Sequence, residues 1–118
     1  MTLDVGNFYW YGHPLSELYP ILERFAPRAK HTHIKNINYP QEIVEMRRAV
    51  GYEYGQYSAP LDEGNIDMKR VVEILRNAGY NRSLCIEDES LSKVALEERP
   101  AIMRRNVQSL RTALSSTQ

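Results

Sequence analysis

The chain has little with which to cross-link itself, cross a membrane or grip a polyanion. One cysteine, Cys85, in 118 residues excludes an intrachain disulfide and fits a reducing compartment. The 15 basic side chains balance 15 acidic ones, so the formal net charge is zero. The basic excess of a nucleic-acid surface is missing, and so is the acidic run of a disordered tail. No apolar stretch approaches the roughly 20 residues of a membrane span. There is no charged-then-apolar leader at Met1 and no internal repeat. Asn81-Arg82-Ser83 spells a glycosylation triplet, but without a secretion signal it reads as chance. A cytoplasmic protein is the expectation.

What is present is an alternation of short strand-like and helix-like patterns in a chain of one-domain length. Met1 to Val5 reads as a strand, with Leu3 and Val5 on one face. Leu15, Leu18, Leu22 and Phe25 recur at helical spacing, opened by Pro14 and stopped by Pro27, with Pro20 as an internal irregularity. Ala29 to Ile37 is a second strand. Pro40 to Gly51 carries a weaker helical pattern. Tyr52 to Tyr57 is loop-like, and Tyr57 to Leu61 is a candidate third strand. Asp67 caps a helix whose stripe is Met68, Val71, Val72, Leu75 and Ala78, with Gly79 as its stop. Ser83 to Glu87 is a fourth strand. A last helix starts near Pro100 with Met103, Val107, Leu110 and Leu114 as its expected stripe, and residues 115–118 are an expected frayed tail after a domain spanning 1–114.

Strand–helix alternation implies a parallel sheet covered by helices. Strands that are apolar on one side and polar on the other fit a barrel wall. A complete eight-fold barrel needs roughly 250 residues, so the fold class is α/β of (β/α) TIM-barrel type, here about half a barrel with roughly four βα units.

Function in such folds collects at the C-terminal ends of strands. Three expected strands carry polar groups there: Asp4, then His33 with Lys35, then Glu87. Two carboxylates and an imidazole form a mixed oxygen and nitrogen set that suits Mn²⁺, Mg²⁺, Co²⁺ or Zn²⁺ and does not suit soft metals. Each residue also has a plainer reading. Asp4 can cap the turn before Gly6, His31 and His33 can be core histidines, and Lys35 can be a solvated rim charge. Glu87 can be neutralised by Lys35 or Arg82. Asp88 and Glu89 read as solvated and Cys85 as a small buried filler. The aromatic run Phe8 to Tyr11, Trp10 included, fits either a sugar-stacking wall or loop packing, and Tyr52, Tyr54 and Tyr57 fit either a cavity lining or a loop.

Four segments occur in a telling order: "LDVGN" (Leu3 to Asn7), "HTHIKN" (His31 to Asn36), "LDEGNID" with "ILRNAGY" (Leu61 to Tyr80), and "LCIEDE" (Leu84 to Glu89). In this the chain resembles the second half of the barrel in the sugar phosphate isomerase/epimerase family, the xylose isomerase-like TIM barrels. The resemblance implies that Asp4, His33 and Glu87 are metal ligands on the family's fifth, sixth and eighth strands. It also implies that Glu87 is one of a pair of acid–base glutamates. Asn7 stands where some ketose epimerases carry a substrate-contacting histidine. Lys35 matches the lysine of the family's His-x-Lys-Asp pattern and is a candidate substrate contact and catalytic group. Asn36 replaces that pattern's aspartate, so no role carries over to it. The family's fourth ligand, a glutamate on the fourth strand, belongs upstream of Met1.

The activity implied is a divalent-metal-dependent isomerisation or epimerisation of a sugar or sugar phosphate, with proton transfer through an enediolate. Alternatives on the same scaffold are a cyclitol dehydratase and an apurinic-site endonuclease-like phosphodiesterase. The balanced charge and the lack of further histidines and acids weigh against the endonuclease. A non-catalytic half-barrel subunit is a fourth reading. Half a barrel leaves two strand edges open. The sequence therefore predicts a fragment or one piece of a split gene, closed by a second copy or by a missing N-terminal half, with a small sugar substrate and no nucleic-acid or membrane partner.

Overall fold

The computed structural model describes residues 1–117. In chain order it contains β1 (Thr2–Asp4), the single turn α1 (Asn7–Trp10), α2 (Leu15–Phe25), β2 (His31–Ile34), β3 (Asn36–Ile37), the single turn α3 (Tyr54–Tyr57), β4 (Ser58–Ala59), α4 (Met68–Asn77), β5 (Cys85–Ile86) and α5 (Arg99–Ser116). Three strands form one parallel sheet in the order β1-β2-β5. β3 and β4 form a separate antiparallel pair. The helices supply the apolar cover. Leu18 and Leu22 of α2, Val71, Val72 and Leu75 of α4, and Leu110 and Ala113 of α5 share one buried cluster with Leu3, Val5 and Ile34 of the sheet. α2 packs on α4, and α4 on α5.

Local chemistry explains most boundaries. Pro14 stands at the start of α2, where a missing N–H costs nothing. Pro20 lies inside that helix, and its ring faces solvent. The Asp67 side chain accepts from the Lys69 and Arg70 amides at 3.0 and 3.3 Å, which satisfies two of the free donors at the start of α4. Gly79 has a positive φ of 81°, the backbone a helix stop requires.

Six expectations are corrected. The Ala29–Ile37 strand breaks at Lys35: β2 runs in the parallel sheet, and Asn36–Ile37 turns away to pair with Ser58–Ala59. The third strand therefore lies outside the parallel sheet. β2 pairs directly with β5, and the wall has three parallel strands where four were expected. Pro60, which has no N–H to give, follows immediately and limits β4 to two residues. Residues 40–51 form turns, not a helix, and Tyr54–Tyr57 is a helical turn, not a loop. The last helix is rotated from the expected stripe. It buries Asn106, Leu110 and Ala113, while Val107 is exposed. A buried asparagine broke the apolar period there. The helix continues through Ser116, so residues 115 and 116 are helical, and Gln118 lies outside the described residues.

Candidate metal centre

Three parallel strands place their polar side chains on the face that the helices leave bare. The register pairs Asp4 with His33 and His33 with Cys85. Glu87 continues the ladder one step past β5, its amide donating to the Ile34 carbonyl at 2.9 Å. Alternation then puts Asp4, His33 and Glu87 side by side at the C-terminal end. One ligand atom from each lies within 4.8 Å of the other two.

Asp4 resolves its two readings by dividing its carboxylate. Oδ1 accepts from the Gly6 and Asn7 amides at 2.9 and 3.1 Å, which caps the turn. Oδ2 faces the site, 3.9 Å from His33 Nδ1 and 3.3 Å from Lys35 Nζ. His33 Nδ1 stands 3.6 Å from Glu87 Oε2. The Glu87 side chain is 41% exposed, yet its Oε2 is sealed from solvent without a hydrogen-bond partner. Such an atom is costly unless something cationic meets it. Desolvation pushes the Glu87 carboxyl above the usual carboxylate range. The nearby Lys35 and His33 pull it down, and Asp4 and Glu89 push it further up.

These residues fit a divalent ion. Two ligands about 2.1 Å from a common metal at a tetrahedral angle stand roughly 3.4 Å apart, close to the observed 3.6 and 3.9 Å. The donor set is hard to borderline, and the orphaned Oε2 supplies an unused lone pair at the focus.

Lys35 is a buried rather than a rim charge, its side chain only 8% exposed. Its ammonium bridges Asp4 and Glu89, at 3.3 and 3.6 Å, and lies 5.6 Å from the centre of the Tyr54 ring. Its stem passes Gly6 so closely that a Cβ there would meet Lys35 Cγ at 2.6 Å, which accounts for the glycine in "LDVGN". Glu89 is exposed, as expected, and is also a partner of both Lys35 and Tyr54, whose hydroxyl donates to it at 3.0 Å. Burial, followed by the charges around it, pushes the Tyr54 phenol far above its ordinary range. Glu89 is the site neighbour that residue pattern did not single out, whereas Tyr54 takes the cavity-lining one of its two readings. Trp10 touches this group only through an edge-on contact with Tyr54, their ring centres 6.4 Å apart. Asn7 contributes its backbone amide to Asp4.

Behind the site lie two buried amides. Asn36 Nδ2 donates to the Leu61 and Ile66 carbonyls, and its Oδ1 accepts from the Ile37 and Ile66 amides, all at 2.9–3.0 Å. An aspartate could not make the two donations, which explains the departure from the family pattern. Gly64 lies against it so tightly that a Cβ would overlap the Asn36 amide carbon at 2.0 Å. Asn106 accepts from the Leu61 amide at 2.9 Å and donates to Asp88 at 2.7 Å. Asp88, expected to be solvated, is thereby corrected to a link between α5 and the residue after Glu87. A cavity of about 680 Å³ opens beside β3–β4 among Tyr39, Tyr57, Lys93 and Ile102. The ligand cluster lies instead on an open sheet face, which has shape only once a wall stands opposite it. Its donor set makes it the candidate site ahead of that cavity.

Among the described residues no helix is long and apolar enough to cross a membrane. Three curated inosose dehydratases are similar to the chain. That of Yersinia enterocolitica is 28% identical over 80% of this chain and 33% of its own length. That of Serratia proteamaculans is 28% identical over 75% and 31%, and that of Klebsiella pneumoniae is 28% identical over 75% and 31%. The chain thus spans about a third of the length of the curated relatives it matches. No solved structure gives a significant match. The family described as xylose isomerase-like TIM barrel matches residues 1–113, and the chain belongs to that family.

Proposed function

We propose that this chain forms the ligand-bearing wall of a divalent-metal enzyme that moves a proton next to the carbonyl of a polyhydroxylated ketone. The observation that carries the reading is the convergence of Asp4 Oδ2, His33 Nδ1 and the partnerless Glu87 Oε2 at the strand ends. Asp4, His33 and Glu87 would hold the ion, which would polarise the carbonyl and balance charge that develops on its oxygen. Glu87 takes or returns the proton, as one of the acid–base pair that the family resemblance implies. Lys35 holds Asp4 and Glu89 in place and presents a cation to the substrate oxygens.

Proton removal leads either to loss of a β-hydroxyl, which is dehydration, or to reprotonation at a neighbouring carbon, which is isomerisation or epimerisation. The relatives named inosose dehydratase favour dehydration of a cyclitol ketone. The ordered motifs support the isomerase fate as the second reading. The rest of the barrel wall comes either from chain beyond this third or from a second polypeptide.

Calorimetric titration with Mn²⁺ tests the site, with light scattering on the same samples. Expected is one ion per chain in the wild type and none in Glu87→Ala or His33→Ala. Wild-type chain that binds no Mn²⁺ in any oligomeric state overturns the reading. On the complete barrel, an inosose assay that follows near-ultraviolet absorbance of an unsaturated product separates dehydration from epimerisation.

A further inference from the structure

The bare sheet face carries more ligand atoms than the acid–histidine cluster uses. His33 and Cys85 are register partners on adjacent parallel strands. His31 lies two residues before His33 on the same face, and their rings meet edge to face with centres 5.2 Å apart at 88°. A ring nitrogen from each histidine and the Cys85 sulfur all lie within 4.8 Å of one another. Both histidines are half-buried on β2, and Cys85, expected as a buried filler, is instead exposed on the same bare face.

From this we infer that His31, His33 and Cys85 form a second, softer metal site, suited to a thiophilic divalent ion of the Zn²⁺ type. Two nitrogens and one thiolate are a borderline-soft set that Zn²⁺ and Co²⁺ accept and that Mg²⁺ and Mn²⁺ do not favour. Tetrahedral Zn²⁺ places a thiolate and an imidazole nitrogen roughly 3.6 Å apart, within reach by side-chain rotation from the spacing seen here. On binding, the Cys85 S–H bond breaks, a sulfur–metal bond forms and the proton goes to solvent. The fourth position is left to water. A neutral imidazole has one free lone pair, so His33 serves either this set or Asp4 and Glu87, but not both. The competition rests on the reading proposed above, whereas the soft site itself does not.

The test is titration of the full chain with Co²⁺, read by the near-ultraviolet thiolate-to-cobalt charge-transfer band and followed by a Zn²⁺ chase. Expected is a band that saturates at one Co²⁺ per chain and is displaced by Zn²⁺. Cys85→Ser abolishes the band, and His31→Gln weakens Co²⁺ binding by about tenfold or more. The Asp4→Asn, Glu87→Gln double variant keeps the band. Cys85→Ser leaves Mn²⁺ binding intact, and in the wild type Zn²⁺ loading weakens it. Absence of the band in the wild type overturns the soft site, as does a band indifferent to His31→Gln or one that saturates at half an ion per chain. A retained band in a wild-type chain that takes no Mn²⁺ overturns the acid–histidine site alone.

Discussion

The two faces of β2 were built by opposite rules. Thr32 and Ile34 face the helices and are fully buried. Thr32 completes its one donor by bonding the Ser83 carbonyl at 3.0 Å. His31 and His33, one residue out of phase, make no hydrogen bond with their side chains among the described residues and stay half exposed. One face is satisfied by packing and the other is left wanting partners. A face optimised for stability leaves no atom like Glu87 Oε2 without a partner. The difference separates what holds the fold from what the fold holds.

The sharpest way to break the comparison is one substitution on each face. Ile34→Ala removes a side chain with no exposure and should destabilise the chain by about 4 kcal/mol, seen as a lower denaturant midpoint. His33→Ala should change stability by no more than about 0.5 kcal/mol while eliminating Mn²⁺ binding. Equal destabilisation by the two would mean that the polar face is structural.

Asn36→Ala comes next. It strands two carbonyls and two amides in a buried site, for a loss of about 3 kcal/mol in urea unfolding. Asn36→Asp should be no better tolerated, because its carboxylate would face the Leu61 and Ile66 carbonyls. If Asn36→Asp is as stable as the wild type, the amide is not the clamp described here.

Lys35→Met keeps the buried stem and removes the charge, leaving Asp4 Oδ2 without its cation. A loss of about 2 kcal/mol is expected by thermal or urea unfolding. An unchanged midpoint would assign the Lys35 ion pairs no part in stability.

The helix face was legible because burial repeats with the period of the element. Leu18, Leu22, Val71, Val72 and Leu75 announce their helices, and Asp67 announces a cap. Asp4, His33 and Glu87 were legible as strand-end polar groups, and the ordered motifs singled them out as candidate ligands. Partners far apart in sequence were not. Tyr54 and Glu89 are 35 residues apart and meet at the site. Asn106 looked like one more polar helix residue until Leu61 and Asp88 closed around it. The break after Lys35 was invisible because Asn36–Ile37 has ordinary strand composition. What bends it away is a set of bonds to residues 61 and 66.

The smallest effect, and the one that best tests how the two faces differ, is pH. The Glu87 carboxyl is raised above its ordinary value, chiefly by desolvation. Between the ordinary carboxyl range, about 4.3 for glutamate, and the raised value, the folded chain holds a proton that the unfolded chain has released. Folded stability without metal therefore falls as pH rises through that window. Glu87→Gln should flatten that slope and leave the chain at least as stable at neutral pH. Metal binding has the opposite sign. It needs the carboxylate, so Mn²⁺ affinity should rise by about tenfold per pH unit while one proton competes, then level off above the raised value. Lys35 is the strongest influence holding that value down, so Lys35→Met should shift the levelling point to higher pH. Calorimetry across pH on the wild type and both variants reads these slopes. Two slopes of opposite sign from one residue identify a side chain positioned for a ligand at the expense of the fold. Two slopes of the same sign would place Glu87 with the packed face.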